Sequence, residues 1–153
     1  MENPSLLLAV DVGLRTGLAL FAANGRLCWY RSHHLPTPQK LKRLISSLLR
    51  GAEAPAIIYL EGSGALADLW LREAERRSIP IVQLHAEQWR KEFFYARQRS
   101  SGIQAKKEAG ILARQVITEL GGKKPTSLRH DTAEAVLIGL YALRREGWLP
   151  ADN

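Results

Sequence analysis

The chain reads as an α/β protein on a mixed five-stranded sheet: a three-strand antiparallel meander plus parallel strands, with helices on both faces. Three observations predict this. Three short apolar runs follow one another near the N-terminus with tight connections, the pattern of a meander. Two later apolar runs alternate with amphipathic segments, which implies crossover connections and parallel pairing. The remainder carries helical periodicity only.

Leu6–Val10 predicts the first strand, and "DVGLRTG" supplies turn residues after it. Leu18–Ala22 is the second strand, "ANG" a turn, and Arg26–Tyr30 the third. "LPTP" breaks the chain. Over Gln39–Arg50, Leu41, Leu44, Ile45, Leu48 and Leu49 follow the 3.6-residue period, with Lys40, Lys42 and Arg43 on the other side. "AIIYLE", Ala56–Glu61, is a near-continuous apolar run, as in a strand buried on both faces. "GSG" at 62–64 is a tight strand-to-helix turn without the spacing or lysine of a phosphate loop, and Ser63 is a candidate helix cap. A helix follows over Ala65–Arg77, with Leu66, Leu69, Trp70 and Ala74 on one side. Ile79–Leu84 is a strand, Glu87–Phe94 a short helix, and "YARQRSSGIQ" a loop without a clean period. Lys106–Leu120 is helical and ends at "GGKKPTS". Asp131–Arg145 is the last helix, with Ala133, Val136, Leu137, Leu140 and Tyr141 as its apolar side. No repeat or linker interrupts this order, so a single domain over residues 1–153 is expected.

The hydrophobic fraction of 46% and charged fraction of 24% fit a soluble globular protein. No apolar run approaches the ~20 residues of a membrane span. The N-terminal "MENPS" has an acid where a secretory signal has its basic region. One cysteine, Cys28, excludes an internal disulfide framework and a multi-cysteine zinc site, and a cytoplasmic location is expected. The net charge of +7 favours a polyanionic partner, such as nucleic acid or a membrane surface, and nucleic acid over the alternative of a generically basic soluble protein.

Four acids stand where structure alone does not ask for them. Asp11 ends the first apolar run and Glu61 the first strand after a helix. Asp131 and Glu134 open the last helix, three residues apart and therefore on one face. Each has a structural alternative: Asp11 as a turn residue, Glu61 as an exposed strand end, Asp131 and Glu134 as acids favoured by a helix dipole. Together they form a pattern that accident explains poorly. If the strands are central and the helix covers their ends, all four carboxylates converge. Converging carboxylates repel and call for a hard divalent cation, Mg²⁺ or Mn²⁺. Two such ions suit phosphodiester cleavage.

"LAVDVGLRTGLALF" resembles the first-strand motif of the ribonuclease-H-like superfamily, and "IIYLEG" its second acidic strand. "RHDTAEAVLIGLYAL" resembles the closing helix of RuvC-type Holliday-junction resolvases, and "AKKEAGILA" their lysine-bearing helix start, with Lys107 nearest the family lysine. The resemblance spans Leu6–Leu143. It implies a homodimeric nuclease that cuts DNA junctions with two Mg²⁺ ions, with Asp11, Glu61, Asp131 and Glu134 as metal ligands and catalytic residues. Glu134 departs from the commoner Asp by one methylene, and His130 adjoins the set as a possible further ligand. The connection after Glu61 is glycine-rich and lacks the family's usual aromatic wedge.

Candidate nucleic-acid contacts are Arg97, Arg99, Lys106 and Lys107, which follow Phe93, Phe94 and Tyr95 without an intervening acid. Lys123, Lys124 and Arg129 precede the last helix and extend the set. Arg72, Arg76 and Arg77 read as a solvated helix face. The pair His33–His34 has no partner at metal spacing, and Trp29, Trp70, Trp89 and Trp148 read as packing. The expected activity is cleavage of branched DNA in recombination and repair. The alternatives are a ribonuclease of the same fold acting on structured or precursor RNA, and a non-catalytic nucleic-acid-binding protein.

Overall fold

The computed structural model describes residues 5–95, 98 and 101–149. Its elements are β1 (Leu6–Asp11), β2 (Arg15–Ala22), β3 (Leu27–His34), α1 (Pro38–Arg50), β4 (Ile57–Glu61), α2 (Ala65–Arg76), β5 (Ile81–Leu84), α3 (Ala86–Phe93), α4 (Gly102–Glu119) and α5 (His130–Arg145). The sheet order is β3-β2-β1-β4-β5. The first three strands pair antiparallel, and β4 and β5 extend the sheet in parallel from β1. This is the predicted mixed sheet, with the predicted succession of elements.

Alternation along the strands divides the interior into two cores. Leu8, Val10, Leu18, Leu20, Ile58 and Leu60 face α1 and α2, meeting Leu41, Ile45, Leu49, Ala67 and Trp70. Leu7, Ala9, Ala19, Phe21 and Tyr59 face the other way, into a core completed by α3, α4 and α5. Because side chains alternate with period 2, Asp11 continues the Leu7–Ala9 phase. Glu61 continues the Ile57–Tyr59 phase. Both acids therefore belong to the face that α5 covers.

That helix is the centre of its layer. Every residue from Thr132 to Leu143 is buried, because the sheet lies beneath α5 and α4 packs against it. Gly139 meets the sheet so closely that a Cβ there would lie 2.0 Å from the Phe21 ring.

Five local expectations are corrected. The second strand begins at Arg15 rather than Leu18, because Arg15–Gly17 of the expected turn pair with β3. The third strand begins at Leu27 rather than Arg26 and runs on to His34, because its last residues pair with Arg15–Gly17 of β2. The fifth begins at Ile81, since the α2 terminus curls through Ser78, and Ile79 N–H bonds back to Ala74 O. Ser63 does not cap α2; Gly64, at φ 88°, holds the N-cap position without a side-chain bond. α4 starts at Gly102, four residues before the expected Lys106. Ser101 caps it by accepting the Gln104 N–H, the first half of a Ser-x-x-Gln capping pattern that the loop reading of this stretch missed. Among the described residues, no helix is long and apolar enough to cross a membrane.

Candidate functional site

One row of residues crosses the sheet at the carboxyl ends of β1 and β4. Ser32 pairs with Gly17, Gly17 with Asp11, Asp11 with Glu61, and Glu61 with Leu84. In open α/β sheets, the crevice outside the carboxyl ends of parallel strands is where ligands bind. The first turn of α5 descends onto this row above Gly17: a Cβ on that glycine would stand 1.9 Å from the Asp131 carbonyl oxygen. Only glycine lets the helix start so close to the sheet. Asp131 and Glu134 thereby join the two strand-end acids.

The other three carboxylates act on Asp11. The Asp11 carboxyl is pushed up from its ordinary 3.8 to about 9. Burial is the largest cause, followed by the charges of Glu61 and Glu134, a hydrogen bond with Glu61, and the charge of Asp131. The turn role weighed for Asp11 falls to Thr16 instead, whose Oγ1 donates to Gly13 O at 2.9 Å.

Three of the acids have their own donors. Ser32 Oγ donates to Asp131 Oδ2 at 2.6 Å. Trp89 Nε1 donates to Glu61 Oε1 at 2.9 Å. Glu134, 2% exposed, accepts from Arg90 Nη2 on Oε1, and His130 Nε2 lies 2.9 Å from the same oxygen. Glu134 Oε2 and His130 Nδ1 are buried without a partner among the described residues. His130 thus stands beside the acids, as its position in the sequence suggested, with its Nε2 turned to Glu134. The start of α5 also brings its free N–H groups and positive dipole end toward this negative charge.

The donor set suits a hard divalent cation: oxygen ligands only, a crowded Asp11, and an orphaned carboxylate oxygen on Glu134. As the side chains stand, no three His, Cys, Asp or Glu among the described residues already surround a common cation position. Glu134 is engaged by Arg90 and His130 instead. A cleft of about 400 Å³ opens beside Glu61, lined by Ser63, Gln83 and His85.

Ser32, Trp89, Arg90 and Gly17 contact or position the acids, and none was among the sequence-predicted site residues. The sequence reads Trp89 as packing, and it does pack, fully buried in the core with its ring 6.3 Å from that of Phe93. Its indole N–H is what reaches Glu61.

The basic candidates are dispersed. Arg97 and Arg99 lie outside the described residues. Lys106 and Lys107 are exposed near the start of α4. Leu120, just past the end of α4, accepts from Leu27 N–H at the sheet end remote from Asp11, so the α4 N-terminus faces the acid end. Lys123 and Lys124 line a cleft of about 410 Å³ along β3 with Trp29 and Tyr30, and Lys123 O accepts from the Tyr30 hydroxyl. Arg129 is exposed at the N-cap of α5, next to the acids. Arg77, just past the end of α2, is not simply solvated: it bonds Glu73 and reaches Ser46 of α1.

No family model matches the sequence, and neither does any curated protein. Solved structures do match. T. thermophilus RuvC, in complex with a Holliday junction substrate, superposes with a TM-score of 0.59 at 14% identity, covering 94% of this chain and 96% of that one. The Fowlpox virus resolvase, in complex with substrate Holliday junction DNA, gives a TM-score of 0.67 at 17% identity, covering 92% and 98%. The fold is therefore the ribonuclease-H-like fold of these resolvases, over nearly the full length of both chains.

Proposed function

We propose that this chain is a divalent-metal-dependent endonuclease that cleaves branched DNA, with the four-way junction as its preferred substrate. The observation that carries the reading is the convergence of Asp11, Glu61, Asp131 and Glu134 at the carboxyl ends of β1 and β4. It gains support from a fold shared with two resolvases bound to Holliday junction DNA.

In this reading the four acids hold Mg²⁺ or Mn²⁺, as two ions. When bound, the ions supply a water of lowered pKa and stabilise the leaving oxygen of a phosphodiester. The rest falls to the chain's own residues. Asp11, on the most central strand, sits between the strand-end Glu61 and the helix-borne Asp131 and Glu134. Trp89 fixes the Glu61 carboxylate and Ser32 that of Asp131. Such second contacts hold ligands within the narrow tolerance a cleavage site needs. Arg129, Lys106 and Lys107 grip the phosphate backbone on the acid side, and Arg97 and Arg99 extend that grip. Lys123 and Lys124 contact a second arm along β3. A junction with two-fold symmetry is cut by two such sites, so the acting species is a homodimer.

The test is cleavage of a four-way DNA junction, a linear duplex, an RNA–DNA hybrid and a structured RNA, each with Mg²⁺. The junction is expected to be cut fastest. Asp11→Asn is expected to abolish cleavage and leave junction binding intact or tighter. Preferential cutting of structured RNA would move the protein to the ribonuclease alternative. Full junction cleavage by the Asp11→Asn variant would end the metal-site reading.

A further inference from the structure

Two consecutive residues of α3 reach two of the four acids. Trp89 donates its indole N–H to Glu61, and Arg90 donates to Glu134. The Arg90 guanidinium also lies 5.2 Å from the centre of the Trp89 ring, a cation–π distance. It is thus held from two sides, with 29% of its side chain exposed, against a carboxylate that is 2% exposed. Both its hydrogen bond and the His130 contact fall on Oε1 of Glu134, while Oε2 has no partner among the described residues.

A buried carboxylate next to three others is costly without a cation. Arginine supplies a charge that does not titrate away, so Arg90 offsets part of that cost whether or not metal is present. A divalent ion on the same carboxylate is a rival. It needs Glu134 as a ligand, and a guanidinium in contact with that ligand repels it. Resting on the metal reading above, we propose that Arg90 is an internal counter-cation that competes with the divalent metal for Glu134. It keeps the acid site folded before loading, and it raises the metal concentration at which loading occurs. Glu134 is the natural point for such competition, since its Oε1 is reached from α3 while its buried Oε2 has no partner among the described residues.

The test uses the full chain without DNA, with MgCl₂ as the probe, read by calorimetric titration and by thermal denaturation. Arg90→Met is expected to lower the metal-free Tm. It is also expected to lower the Mg²⁺ concentration for half-saturation, on the order of tenfold. Arg90→Lys, which keeps the charge, should stay near the parent in both. An unchanged or higher Mg²⁺ requirement in Arg90→Met overturns the proposal. If Arg90→Met does not fold without metal, the double variant Arg90→Met/Glu134→Gln decides. Removing the buried charge is expected to restore folding, whereas persistent instability would mean that Arg90 serves only as packing for Trp89. A parent chain that binds no Mg²⁺ refutes the metal reading itself, an outcome distinct from a parent that binds while the variants fail to differ.

Discussion

Replacing Asp11 by Asn should stabilise the metal-free protein at neutral pH while destroying its proposed activity. The Asp11 carboxyl stands at about 9 in the fold, against an ordinary value of 3.8. The folded state therefore holds a proton that the unfolded chain releases. Stability attributable to this group is complete below about pH 4 and is lost as pH rises towards 9. At about 1.4 kcal/mol per pH unit, the loss at pH 7.5 is on the order of 5 kcal/mol. Asparagine needs no proton and can still donate to Glu61. It does not recover everything, because the remaining acids share the relief, so a gain of about 2–4 kcal/mol is expected. For a domain of this size that corresponds to a Tm increase of roughly 5–10 °C. The assay is thermal denaturation of parent and variant between pH 5 and 9, in chelator and in Mg²⁺. The difference between the two proteins should grow with pH in chelator. Saturating Mg²⁺ should raise the parent's Tm and move the variant's little. A difference that stays flat with pH, or a variant less stable than the parent at pH 8, would refute the raised Asp11 carboxyl that burial and the neighbouring acids together produce.

Other consequences follow from particular contacts. Gly17→Ala drives a methyl into the Asp131 carbonyl, so it should lift the α5 start, cost about 3 kcal/mol in urea denaturation, and abolish cleavage. Trp89→Phe keeps an aromatic ring in the core but removes the donor to Glu61; a stability loss of about 1–2 kcal/mol and a higher Mg²⁺ requirement for cleavage are expected. Tyr59→Phe deletes the 2.6 Å bond to Glu146 at the far end of α5, and should cost about 1 kcal/mol with cleavage unchanged. Replacing Lys106 and Lys107 by Ala should weaken junction binding and reduce the slope of log affinity against log salt by up to about 2, measured by fluorescence anisotropy.

The element order was legible because each signal was local and redundant. "LLLAVD" and "LALFA" alternate between two buried faces, so each reads as an apolar run with an acid or a turn at its end. Boundaries failed where a partner strand or a cap decides them. "RSHH" has little strand propensity of its own, yet β2 supplies the pairing that keeps it extended to His34. Ser101 and Gly102 read as loop until the helix behind them supplies N–H groups for the serine to cap.

The acids were legible for a different reason: a carboxylate at an apolar strand end stands out against its neighbours. What holds them did not stand out. Gly17 is one glycine among twelve, and its necessity appears only when the α5 backbone lies on it. Ser32 gains its role from pairing opposite Gly17, a register fixed across three strands. Trp89 and Arg90 carry dual roles that a one-dimensional pattern assigns once. The tryptophan reads as a packing residue, and nothing in the sequence marks the arginine beside it. Trp89 is fully buried and Arg90 only partly exposed, so both stay next to the acids. Sequence exposes the groups that demand compensation, because their chemistry is anomalous where they stand. The compensating groups are ordinary residues whose partners lie 28 to 99 positions away, and only the folded register identifies them.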